Sequence, residues 1–435
     1  MNPIDLLPSV AASRLERARQ TFLDADTLAV AAEILEDVRT HGLEGLRRHA
    51  ERLGDIQEDA ALIVEGASLR AALDAMPHAD RELLERVHGR IEDFARAQRA
   101  TMRDLEVPLA GGTAGHAFVP VEVAGCYAPG GRFPLPSSVL MTATTARVAG
   151  VAQVIVATPR AGQLMLGAAA LAGADAVLAA GGAQAIAALA HGVGGLPPAD
   201  LICGPGNRFV TAAKKLLAGE VGIDMLAGPS ELLVLADESA NPAVLAWDLV
   251  AQAEHDEDAR VSLVTIRAPG LAARVREALA SCLAEHPSPE TARHALRAGC
   301  AVEVDTDTEA SAICDRLAPE HLQLCVADPL PWRDRLHHFG AVFSGSAGAE
   351  VFGDYGAGPN HVLPTGGAAR HTGGLSVAHF LRLRTWLHLD HLDPRLGNDT
   401  EALALLEGLH GHAAAARIRR RSRAPGTSGP DRALP

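Results

Sequence analysis

Four stretches of this 435-residue chain carry side chains suited to binding a cation or moving a proton. In AQAEHDEDA (251–259), Gln252 and His255 stand three apart, on one face of a predicted helix. Both can offer a neutral lone pair to a divalent metal. The stretch also reads as a plain solvated helix end, since Glu254, Asp256, Glu257 and Asp258 follow an apolar run. In LAPEHLQL (317–324), Pro319 stops a helix and a strand follows, so Glu320 and His321 stand at one end of a sheet. Such a pair can exchange protons, because histidine titrates in the useful range. A solvent-facing strand entry is the plainer alternative. VFGDYGAGPNHVLPTGG (351–367) carries Asp354, Tyr355, Asn360 and His361 in a glycine-rich stretch with too many turn residues for a helix. It is either a functional loop on a rigid scaffold or a simple connection. EGLHGHAAAARIR (407–419) puts Glu407, His410 and His412 on one alanine-rich helix, as ligands or as surface residues.

Something must hold these stretches together, and the apolar rhythm of the chain says what. Residues 13–106 read as helices, with apolar side chains at three- and four-residue steps. From about 119, short β-rich runs such as VAQVIVATP (151–159), ELLVLAD (231–237) and VSLVTI (261–266) alternate with helical stretches, as far as about 345. Strands this apolar are buried on both faces, which predicts parallel sheet covered by helices. From 376 the chain is expected to turn helical again (SVAHFLRLRTWLHLD), with 391–400 as a linker. Glycine-containing turns at CYAPGGRFPLPSS (126–138), AGGAQA (180–185) and CGPGNRF (203–209) each follow a strand and open a helix, where backbone amides could face a pyrophosphate. None is a full dinucleotide fingerprint. Ser230 lies at another turn before a strand.

The expected fold is therefore α/β: two open Rossmann-like parallel-sheet domains, a helical N-terminal part, and a helical C-terminal tail domain that docks on a partner subunit. The expected division is an N-terminal arm at 1–22; a first α/β domain of 23–126 plus 237–315; a second, cofactor-side domain of 127–236 plus 316–375; and a tail domain at 376–435. The basic end at 420–435 is expected to lack fixed structure.

Composition narrows the function classes. A net charge of −14 argues against a nucleic-acid backbone or an anionic membrane as partner. No apolar run approaches the length of a membrane span, and the first residues lack the pattern of a signal peptide. Cys126, Cys203, Cys282, Cys300, Cys314 and Cys325 form no CxxC pair and sit in apolar runs, so buried free thiols are expected. A cytoplasmic protein follows from these readings.

Taken in order, AGCYAPGG, PSSVLM, GGAQAIAALA, GPGNRFVTAAKK, GIDMLAGPSELLVLAD, AQAEHD, APEHLQL, GDYGAGPNHVLPT and EGLHGHAAAARIR resemble the histidinol dehydrogenase family over almost the whole chain, most densely from 123 to 367. The resemblance implies a homodimeric enzyme with one zinc per subunit and NAD as oxidant, converting L-histidinol to L-histidine through the aldehyde, with active sites shared between subunits. It implies Gln252, His255, Asp354 and His412 as zinc ligands, His412 reaching over from the other subunit. It implies Glu320 and His321 as the catalytic pair. Ser230, His361 and Glu407 match substrate-contacting positions, beside the metal ligands and His321. Tyr127, Gln184 and Asn207 match cofactor-contacting positions. Arg132, Arg208 with Phe209, the GGTAGHAFVP entry (111–120) and the extra His410 depart from the family pattern. They leave room for a related zinc and NAD dehydrogenase acting on another small alcohol, such as sulfopropanediol.

Overall fold

A computed structural model describes residues 6–15, 23–57, 60–130, 133–345 and 347–421. The strands in chain order are β1 (Ile63–Glu65), β2 (Leu105–Leu109), β3 (Gly112–Pro120), β4 (Val123–Tyr127), β5 (Gln153–Ala157), β6 (Ala176–Leu178) and β7 (Leu201–Cys203). They continue with β8 (Gly222–Ile223), β9 (Glu231–Ala236), β10 (Arg260–Ile266), β11 (Cys300–Val304), β12 (His321–Cys325), β13 (Ala341–Ser344) and β14 (Leu381–Leu389).

The first sheet has the order β1-β6-β5-β4-β7-β8 and the second β11-β10-β9-β12-β13. All described pairings within them are parallel except β1 with β6. The central strands are buried end to end, β4 and β9 at every residue. This is the doubly covered parallel sheet that unbroken apolar strands require. In each sheet the strand order reverses beside its first parallel strand, between β4 and β7 in one and between β9 and β12 in the other.

Sheet membership divides the chain differently from the expected division. The first sheet takes its strands from 63–223 and the second from 231–344. The expected split at 126–127 falls at the end of β4, which pairs directly with β5 and β7, and the splits at 236–237 and 315–316 part β9 and β12 from β10 and β11 of the same sheet. Alternating strands and helices do not say which strand pairs with which, so sequence rhythm alone could not place these boundaries.

The arm is anchored. Leu6 and Leu7 are fully buried, the Leu7 and Val10 amides donate to Leu296 and Ala301, and Ser9 bridges Ala301 in parallel. Residues 1–5 and 16–22 of the expected arm lie outside the described residues, as do Arg132 and 422–435 of the basic end.

Residues 100–119 and 381 onward form a separate compact unit, holding the sheet β14-β3-β2 and the helices Pro394–Leu406 and His410–Arg421. Here the expected helix over 376–390 is corrected. After one turn (Val377–Phe380), LRLRTWLHL is strand β14. Leucine favours helix, but Leu381, Leu383, Leu387 and Leu389 repeat at even spacing, the period of a strand. The expected linker at 391–400 largely becomes helix, begun by Pro394 and capped by Asp393, whose carboxylate accepts the Leu396 amide at 3.0 Å. Arg420 and Arg421 continue the last helix, and Arg417 and Arg420 pair with Glu401. All six cysteines are free thiols, with Cys126, Cys203, Cys282 and Cys314 buried and Cys300 and Cys325 half-buried.

Candidate active site

The helix Asp307–Leu317 ends on Ala318 in the left-handed conformation, and Pro319 prevents its continuation. Glu320 and His321 then enter at the amino end of β12, both buried. They grip the first residue of β9 from both sides. The Glu320 carboxylate accepts the Glu231 amide at 2.9 Å, and His321 Nδ1 lies 3.0 Å from the Glu231 carbonyl. A carbonyl only accepts, so Nδ1 carries the proton. Nε2 is left as a bare lone pair, buried and without a partner. It faces Asp354, whose Oδ1 is 3.7 Å away.

Asp354 belongs to a one-turn helix, Glu350–Asp354, where the sequence reading expected a loop. The same turn carries Glu350, a residue the sequence reading did not single out. It is buried, its Oε1 lies 3.7 Å from His321 Nδ1, and its Oε2 has no partner. No residue-type pattern marks one buried glutamate ahead of a glycine-rich loop, which is why it was missed. His321, Glu350 and Asp354 bring one ligand atom each within 4.8 Å of one another.

Burial dominates the electrostatics. It pushes the Asp354 carboxyl up to about 6, against the nearby His255, which lowers it. It holds Glu320 well above the ordinary range, and the carboxylates of Glu231, Glu350 and Asp354 add to this. Glu350 is raised by burial and then by Asp354 and Asp248. His321 is driven down to about 3 by burial, so its imidazole is neutral. These acids face one another with too little positive charge, which is the environment a cation would relieve.

Gln252 supplies the clearest sign of a missing ligand. It is fully buried in the last turn of the helix Pro242–Ala253, and among the described residues neither polar atom of its carboxamide has a partner. That helix packs against the one-turn helix of Asp354. An orphaned buried amide is costly unless something binds it. His255 lies two residues beyond the helix end and is exposed, so the expected shared helix face does not exist. The chain turns there instead, the His255 amide reaching the Gln252 carbonyl at 3.4 Å. Neutral amide, imidazole and carboxylate donors fit a divalent metal of borderline character.

His361 is fixed at both ring nitrogens. Nδ1 lies 3.0 Å from the Asp354 carbonyl and Nε2 3.3 Å from the Ser138 hydroxyl. Its neighbour Asn360 is structural. Its Nδ2 donates to the Met141 carbonyl at 2.8 Å, inside the π-bulge Leu140–Thr144 that leaves this carbonyl available. Ser230 sits half-buried just before β9. Tyr355 is 64% exposed and takes no part in this cluster.

The three residues expected on the cofactor side share the carboxyl ends of the first sheet. Tyr127 ends β4, Gln184 lies in the first turn after β6, and Asn207 follows β7. β4 and β7 flank the reversal of strand order, where open α/β sheets bind nucleotides. The Asn207 side chain caps the helix Arg208–Leu217 through bonds from Phe209 (3.0 Å) and Val210 (3.2 Å). The start of the helix Gly182–His191 is not open to a pyrophosphate, contrary to expectation. The Asp55 carboxylate takes the Gly181 amide at 2.8 Å, and the Tyr127 hydroxyl oxygen takes that of Gly182 at 3.1 Å.

The CGPGN turn is clamped from within. Asp224 accepts the Gly204 amide at 2.8 Å, Lys214 donates to the Gly204 carbonyl at 2.9 Å, and the two buried side chains form an ion pair. Gly204 has φ +115° and lies so near the Tyr127 carbonyl that no Cβ fits. Lys214→Ala strands the Asp224 charge, and a loss of about 3–5 kcal/mol is expected, measured by denaturant unfolding.

Glu407, His410 and His412 are exposed in the separate unit. They do not share one helix. Glu407 caps the end of Pro394–Leu406, Gly408 (φ +73°) breaks the chain, and His410 opens the next helix.

Comparison with known proteins gives the chain's family. The sequence model of the family described as Histidinol dehydrogenase matches residues 17–420. The chain is 44% identical to the histidinol dehydrogenase of Thermus thermophilus, over 94% of this chain and 98% of that protein. It is 38% identical to the sulfopropanediol 3-dehydrogenase of Ruegeria pomeroyi, over 91% and 92%. Among solved structures it resembles histidinol dehydrogenase from Elizabethkingia anophelis, with a TM-score of 0.85 and 30% identity over 93% of this chain and 94% of that one. No described helix is long and apolar enough to cross a membrane. With fold and sequence in agreement, the chain belongs to the histidinol dehydrogenase family.

Proposed function

We propose that the protein oxidises L-histidinol to L-histidine through the aldehyde, in two hydride transfers to NAD. The observation that carries this reading is the bare Nε2 of His321, 3.7 Å from Asp354, together with the orphaned Gln252 amide on the helix packed against that of Asp354. Gln252, His255 and Asp354 would hold a zinc ion together with His412 of the partner subunit. The ion, when bound, would orient the substrate through its nitrogen atoms. His321 Nε2 takes the hydroxyl proton as hydride leaves the carbinol carbon. Glu320 then takes a proton from the water that adds to the aldehyde, and the second hydride leaves. Glu320 must ionise for that step, and a bound cation would favour its charged form against the burial and neighbouring acids that raise it. Ser230 and His361 line the substrate side, and Glu407 suits the substrate ammonium.

NAD is assigned to the carboxyl ends of the first sheet, at Tyr127, Gln184 and Asn207. A homodimer is proposed because the unit carrying His412 exposes Leu403, Leu406 and Ile418, at 58%, 85% and 63%, an apolar face that suits a partner subunit. Free thiols throughout suit a reducing, cytoplasmic setting.

A sulfonated small alcohol is the second reading, favoured by the 38% identity to the Ruegeria dehydrogenase. The carboxylate of Glu407 fits an ammonium better than a sulfonate. The deciding experiment counts NADH per molecule of L-histidinol, run to completion with zinc-loaded protein. Two per substrate is expected. None, with sulfopropanediol oxidised instead, moves the protein to the second reading. His412→Ala is expected to lower bound zinc and His410→Ala to leave it unchanged, by metal analysis.

A further inference from the structure

Gln184 is buried at 1% exposure, yet only half of its carboxamide is used. Its Nε2 donates to Asp55 Oδ2 at 3.1 Å. Its Oε1 has no partner among the described residues. The same Asp55 oxygen accepts the Gly181 amide at 2.8 Å, so one carboxylate ties the helix start to the glutamine three residues on. Asp55 is itself held, because its carbonyl accepts the Arg160 amide at 2.9 Å and its amide donates to Ala50 at 2.8 Å. A carboxylate can only accept. It therefore draws the amide nitrogen to itself and leaves the oxygen on the other branch, buried over Gly182, where a Cβ would stand 2.7 Å from it.

We infer that Asp55 is a positioning residue for the dinucleotide: it locks the Gln184 carboxamide so that its buried, unsatisfied oxygen receives a hydrogen-bond donor of the nucleotide. This rests on the NAD reading above and deepens it. The donor is an amino, carboxamide or ribose hydroxyl group, the donor-bearing parts of that cofactor, since a diphosphate offers no proton at neutral pH. Asp55 lies in the turn after the helix Ala25–Arg52, far in sequence from every other residue assigned to the site.

The test is kinetic, on the zinc-loaded full-length protein with L-histidinol and NAD. Asp55→Asn removes the charge that fixes the amide while keeping the shape. The KM for NAD should rise about tenfold, with kcat and the KM for L-histidinol within about twofold. Introduced into Gln184→Ala, the same change should add less than about twofold, because the group it orients is gone. An unchanged KM for NAD in Asp55→Asn overturns the inference. So does a uniform loss in all three parameters with a lowered melting temperature, and so do effects that multiply in the double variant. A native protein that forms no NADH overturns the functional reading itself, and the inference falls with it. A native protein that does, with a variant indistinguishable from it, overturns the inference alone.

Discussion

His321→Asn is expected to lower NADH formation from L-histidinol by about a thousandfold while leaving bound zinc and the KM for NAD within about twofold of the native values. The size follows from the geometry. The Glu231 carbonyl fixes the proton on Nδ1, so Nε2 is the one lone pair of this ring that can take the substrate proton. Asparagine can keep the bond to Glu231 but has no basic nitrogen to offer. Glu320→Gln should behave differently. It keeps an acceptor for the Glu231 amide, so the first oxidation continues and supplied aldehyde is consumed slowly. Stopped-flow measurement of both half-reactions in both variants checks the assignment. Equal loss of aldehyde oxidation in the two would break the division of roles.

The second large effect concerns the acids. Asp354→Ala should abolish zinc retention through gel filtration and lower activity by more than about a hundredfold. Asp354 also gives a pH signature to the metal-free protein. Its carboxyl rises from 3.8 to about 6 on folding, chiefly through burial, so between those values the folded chain holds a proton that the unfolded chain has lost. Stability linked to this group is therefore greatest below about pH 4 and declines as pH climbs to about 6, opposite in sign to an ion-paired aspartate. Loading with zinc should release protons into weakly buffered solution near pH 6 and flatten the decline. The comparison is made by unfolding metal-free and zinc-loaded protein at pH 5 and pH 7, and Asp354→Asn should show neither effect. An identical pH slope for the loaded and metal-free forms would remove Asp354 from the site.

Much of the second sheet could be read directly. The runs ELLVLAD and VSLVTI read as buried strands, and helices that follow strands of this sheet carry their own caps, such as Asn241 before Pro242 and Thr306 before Asp307. The acid–base pair was legible for a local reason, since Pro319 ends one element just where the next begins. Three things were not legible. Strand β14 was hidden by leucine, whose helical preference masks an even-spaced pattern. The fate of Gln252 was hidden because its burial depends on a one-turn helix a hundred residues later. Glu350 was hidden because isolation from partners is a property of packing, and nothing in EVFGD announces it. What spacing could supply was candidate ligands; which face they present had to come from the turn after Ala253.

The arm at 6–15 has a consequence for how the chain is made. The strands of the first sheet are complete by residue 223, long before those of the second, and domains generally fold as they emerge. Yet Leu7 and Ser9 find their partners only at Leu296 and Ala301, in the second sheet's part of the chain. This segment therefore stays uncovered, its two leucines without their burial, until that later part has folded, and its docking marks the moment when the second sheet has closed.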